Sequence, residues 1–167
     1  NQWSAHKMKR FPLDAADQAM RLFLDTEFSD LRVPELLSLG IVSEAGDEFY
    51  AELTFNRAVC SPFVEETVLP LLSNRPRARG DVADDLRSWL AKFERPVVVY
   101  DTPTDWSMFV WLFGNAQVPV DGLLLEYNQW DWQRFEQCID AYFEHHKTAT
   151  RHHALHDAMA LREAWLL

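Results

Sequence analysis

The stretch LFLDTEF, residues 22–28, constrains this chain more than any other. Leu22, Phe23 and Leu24 lead in and Phe28 closes it, so the run reads as a strand of a buried sheet. Side chains alternate faces along a strand, so Asp25 and Glu27 point the same way and Thr26 the other. Two like charges side by side on a buried strand are tolerable only if something cancels their repulsion.

The rest of the chain supplies a fold to hold that strand. With 167 residues, 48% of them hydrophobic, it is long and apolar enough for one domain with a substantial core. Residues 21–26 read as the first strand. ELLSLGIVSEAGDEFYAELTF (35–55) holds two more β-rich runs about a hairpin turn at EAGDE. SPFVEETVLPLL opens a helix with Ser61 as cap and Pro62 in the first turn. RGDVADDLRSWLAKF carries Val82, Leu86, Trp89, Leu90 and Phe93 at helical spacing. PVVVYD (96–101) is a short buried strand, DWSMFVWLFG a helix ending at Gly114, and VDGLLLEYNQWD holds a short final strand. Two helices, 132–146 and 153–166, close the chain. Three hairpin-linked strands followed by alternating helix and strand predict an α/β fold, a mixed sheet with helices packed on its faces. The opening NQWSAHKMKRFPLDAADQAM lacks the apolar core of a signal peptide. Residues 1–20 are expected to be an N-terminal arm or an expression remnant ahead of a native start at Met20.

The acids repeat the opening problem at separate places. Asp105 lies just past the 96–101 strand, at the start of a helix, and Asp157 lies within RHHALHDA on the last helix. Asp101, which ends the strand, is a rival to Asp105. Carboxylates from separate elements converge only by tertiary folding. Two Mg²⁺ or Mn²⁺ ions, held about 3.5–4 Å apart by hard oxygen ligands, would cancel their charge.

These residues carry a resemblance. DTEF at 25–28, TDW at 104–106 and HHALHD at 152–157, in this order and spacing, resemble the three motifs of the DEDDh family of 3′–5′ exonucleases. DTEF…ELLSLGIV and the short chain look most similar to its ribonuclease AS branch. The resemblance spans residues 21–166. It implies a ribonuclease H-like sheet, three antiparallel strands then parallel ones with helices on both faces. It implies that Asp25, Glu27, Asp105 and Asp157 hold two Mg²⁺ or Mn²⁺ ions and that His152 is the general base. The implied reaction releases 5′-mononucleotides from the 3′ end of single-stranded RNA, by a homodimer; a cytoplasmic setting is expected instead from Cys60 and Cys138, read as plain thiols in a reducing compartment. DNA or mixed substrates, or a retired nucleic-acid-binding module, are the alternatives. Histidine titrates near neutrality and suits proton transfer from water.

Other readings are open. His145, His146, His152, His153 and His156 form a tract that can bind zinc, but the HExxH glutamate is replaced by His153. On a continuous helix His153, not His152, would share the face of Asp157; His152 fits only if the helix begins after it. Phe28 is expected to seat a terminal base and Trp106 to wall the pocket, with core packing as the alternative for both. Arg75, Arg77 and Arg79 are phosphate contacts or a solvated loop. A net charge of −10 argues against sequence-blind attraction to nucleic acid. Cys60 and Cys138 are too few for a disulfide framework or a metal cluster, and no apolar run approaches the ~20 residues needed to cross a bilayer.

Overall fold

The computed structural model describes residues 19–126 and 131–167. The arm expected at 1–20 lies outside the described residues except for Ala19 and Met20. Five strands form one sheet: β1 (Met20–Phe28), β2 (Leu36–Ser43), β3 (Glu48–Glu52), β4 (Pro96–Tyr100) and β5 (Asp121–Leu124). Their order is β3-β2-β1-β4-β5. β1, β2 and β3 pair antiparallel, while β4 runs parallel to β1 and β5 parallel to β4. The β2–β3 turn falls in EAGDE, where Gly46 takes φ +97°, a conformation that glycine adopts at little cost.

The helices are α1 (Pro62–Thr67), α2 (Arg79–Leu90), α3 (Pro103–Phe113), α4 (Trp132–His145) and α5 (Ala154–Leu166). Ser61 caps α1, its Oγ accepting from Val64 N–H at 3.3 Å. The helix that SPFVEETVLPLL opens stops at Thr67 and is followed by a 3₁₀ turn, Leu69–Leu71. Pro70 accounts for this, since it lacks the N–H that an α-helix interior needs.

Alternation along β1 divides the core. Leu22 and Leu24 pack with Val82 and Leu86 of α2 and Met108 and Phe109 of α3. Phe23 faces the other way, into a cluster with Phe135 of α4 and Ala158 and Leu161 of α5. Asp25 and Glu27 are therefore in phase with Phe23, toward α5. Thr26 is in phase with Leu22 and Leu24, toward α3.

Gly40 of β2 pairs with Asp25 and marks where α5 crosses the sheet. A Cβ at Gly40 would lie 2.3 Å from both the Cα and the N of Leu155, a backbone overlap that no rotamer change relieves. The missing side chain lets the first turn of α5 rest on β2. Gly40→Ala is expected to destabilise the fold by about 3 kcal/mol or more. Urea unfolding of the two proteins reads this directly.

Candidate metal and catalytic site

The absence of a Cβ at Gly40 has a consequence three residues into α5. With that helix seated on β2, Asp157 meets Asp25 and Glu27. One oxygen from each of the three carboxylates lies within 4.8 Å of the others. All three line a cavity of about 600 Å³ at the C-terminal end of β1, which Phe28, Asp101, Asp105 and His152 also line.

Asp105 reaches the cavity differently. It starts α3, which packs on the opposite face, so it meets Thr26 rather than the Asp25–Glu27 side. Its Oδ1 accepts from Thr26 N–H at 3.1 Å and from Thr26 Oγ1 at 2.6 Å, and its Oδ2 accepts from Thr102 Oγ1. The structure thus brings three of the four expected ligands into one group and holds the fourth beside it on threonine donors. Oδ1 already accepts two bonds, but Oδ2 accepts one and keeps a second lone pair, so Asp105 retains acceptor capacity toward the cavity it lines. Thr102 caps α3, its side chain accepting from Asp105 N–H.

The electrostatics are those of an anionic group short of partners. Asp25 is raised well above the ordinary carboxylate range by burial, then by the charges of Asp105, Asp157, Glu27 and Asp101. Glu27 is pushed up to about 8 by burial, then by Asp157 and Asp105. Asp157 rises to about 6 through burial, partly offset by the backbone N–H groups of His152 and His153 and by the charge of Arg151. Asp101 also rises to about 6, through burial and Asp105. For Asp105 itself burial raises the value, against the opposing threonine bonds.

Glu52 shows how the same sheet treats a structural acid. It is buried at the end of β3 and accepts from Tyr50 Oη at 3.0 Å, Ser73 N–H at 2.6 Å and Arg75 N–H at 3.3 Å. Burial pushes it up, but these donors outweigh burial and its value falls below the ordinary one. Asp25 and Glu27 have no comparable donors among the described residues. All-oxygen donors, like charges and little internal compensation fit a site for hard divalent cations.

A stability prediction follows from the sign of these shifts. Unfolded carboxyls release their protons near pH 4. The folded metal-free protein keeps those of Asp101 and Asp157 to about 6 and that of Glu27 to about 8. Between these limits the folded state binds more protons, so rising pH favours unfolding. In EDTA the Tm is expected to fall from pH 4 to 8, and excess Mn²⁺ to restore more at pH 8 than at pH 6. Scanning calorimetry checks both. A metal-free Tm that climbs over this range would contradict the electrostatic account.

The histidines separate by position. α5 begins at Ala154, so His152 precedes the helix and has left-handed backbone, φ 64°. It lines the cavity with its ring perpendicular to that of Phe63, centroids 5.1 Å apart. His153 points elsewhere, stacked on Tyr50 at 4.7 Å and on His156 at 4.2 Å. Burial lowers its affinity for a proton, as does the neighbouring His156. His156 Nδ1 accepts from Thr150 N–H at 3.0 Å. Among the described residues no group of metal-ligating geometry includes any of the histidines.

Phe28 lines the cavity; Trp106 does not. The Trp106 ring lies nearly parallel between Tyr100 and Phe109, 5.3 Å from each, over Gly122. Its place is the seam between α3 and the sheet, and this corrects the expectation that it walls the pocket. The three connector arginines are also away from the cavity. Arg77 pairs with Asp85 at 2.7 Å, Arg79 lies over Trp111, and Arg75 donates its backbone N–H to Glu52. Phe63 and Arg151, which sequence reasoning passed over, line it instead.

No protein-family model matches the chain, and no curated protein matches it.

Proposed function

We propose that this protein is a divalent-metal-dependent 3′–5′ exoribonuclease of the DEDDh type, on a ribonuclease H-like version of the mixed α/β sheet. The carrying observation is the convergence of Asp25, Glu27 and Asp157 from two separate elements in one cavity. The motif order from residue 25 to 157 adds the direction of attack, and the likeness to the ribonuclease AS branch adds RNA as substrate. The same likeness is the ground for a homodimer, and the free thiols of Cys60 and Cys138 are the ground for a reducing, cytoplasmic setting. Among the described residues no helix is long and apolar enough to cross a membrane.

In this reading Asp25, Glu27 and Asp157 hold two Mg²⁺ or Mn²⁺ ions, with Asp105 completing the set from its threonine-braced position. When bound, the ions supply Lewis acidity to the attacking water and to the phosphate and its leaving oxygen. His152 takes the proton from that water. Its place on the loop before α5 sets the ring against Phe63 of α1, at the wall of the cavity where the substrate end would sit. Phe28 offers an apolar face to the terminal base.

The test is chromatography of products from RNA and DNA oligomers of one sequence, with Mg²⁺, Mn²⁺ or EDTA. The reading expects 5′-mononucleotides from RNA, faster than from DNA, and none in EDTA. Nucleoside 3′-phosphates, or products that persist in EDTA, would overturn it.

A further inference from the structure

The charged side chains of the cavity are nearly all anionic. Asp25, Glu27, Asp30, Asp101, Asp105 and Asp157 line it, and Arg151 is the one lysine or arginine among its described lining residues. Two divalent ions balance four carboxylates, so a polyanionic strand would still face repulsion from the rest. Arg151 lies in the loop before α5, next to His152. Its guanidinium sits over the Phe143 ring, 4.6 Å from the centroid, and pairs with Asp140. Phe143 and Asp140 are three residues apart on α4 and thus on neighbouring turns of one face.

We infer that Arg151 is a substrate-binding residue that exchanges Asp140 for a phosphate of the bound strand. This rests on the phosphodiesterase reading above. The Arg151 and Asp140 side chains are 45% and 68% exposed. A pair so open to water contributes little stability, so giving it up costs little. The ring of Phe143 keeps the guanidinium plane oriented when the carboxylate leaves. A planar fork with paired donors suits two phosphate oxygens better than an ammonium does. Asp140 then acts as a competitor that holds the fork at the cavity until an anionic strand arrives.

Steady-state kinetics of the full chain on a 5′-labelled single-stranded RNA oligomer with Mg²⁺ test this. Arg151→Ala is expected to raise KM by about tenfold or more, with kcat changed far less, as loss of a charged hydrogen bond to substrate implies. Arg151→Lys recovers part of the loss. Asp140→Ala is expected to lower KM by about two- to fivefold, the modest advantage set by a weak surface pair. Adding Asp140→Ala to Arg151→Ala should change nothing further. A wild-type KM in Arg151→Ala overturns the inference. So does a raised KM in Asp140→Ala, which would make the pair a brace for the loop. Should Arg151→Ala fail to fold, Arg151→Lys and Asp140→Ala decide between the same outcomes. In each of these cases wild-type turnover leaves the exonuclease reading standing. A wild type that does not cleave removes that reading and the inference together.

Discussion

Asp25→Asn is expected to reduce turnover by at least about 10³-fold while making the metal-free protein more stable. The two effects have one origin. Asp25 sits beside Glu27 of its own strand and Asp157 of α5, and burial and neighbouring acids all raise its proton affinity. An amide of the same size removes a charge that the ions require and that the metal-free fold tolerates poorly. In a domain of this length about 1 kcal/mol corresponds to about 2–4 °C, so a rise of about 5 °C in Tm is expected at pH 7.5 in EDTA. In excess Mn²⁺ the order should reverse, because only the wild type gains from bound metal. A destabilised metal-free mutant would show that Asp25 is a structural acid like Glu52.

The second large effect separates two adjacent histidines. His152→Ala is expected to lower kcat by about 10²-fold or more and leave Mn²⁺ affinity nearly unchanged. It lines the cavity, and its only described ring contact is a T-shaped one with Phe63. His153→Ala removes a ring stacked between Tyr50 and His156, so it should cost about 1–2 kcal/mol of stability and leave kcat within a few-fold. Parallel thermal unfolding and single-turnover kinetics distinguish these. Equal kinetic losses in the two variants, or a loss confined to His153→Ala, would place the base on the wrong residue.

The central strand was legible because its signal is local. The apolar lead-in and the period of two put Asp25 and Glu27 on one face without reference to any other part of the chain. The hairpin was legible for the same reason, through Gly46. The meeting with Asp157 was not local. It depends on Gly40, whose missing Cβ admits the backbone of α5 more than a hundred residues later. From sequence alone only the motif likeness joined these acids. The same limit explains the misplacement of Trp106. Helical spacing leaves open which of two partly apolar directions a residue faces, and the bare Gly122 of β5 decides it. Asp105 was recognised as an acid at a helix start, but its threonine braces depend on which face α3 covers. Arg151 was passed over because what marks it, Asp140 and Phe143 at its side, lies on the preceding helix across a loop.

Isothermal titration of Mn²⁺ tests the central claim most directly, with a nucleoside 5′-monophosphate present to supply phosphate oxygens. It asks whether Asp25, Glu27 and Asp157 hold divalent ions, whatever the physiological substrate. Wild-type protein should bind Mn²⁺ saturably, with about two ions per chain, and Asp25→Asn should lose most of that heat. Identical isotherms for the two proteins, or no saturable binding by the folded wild type, would contradict the account.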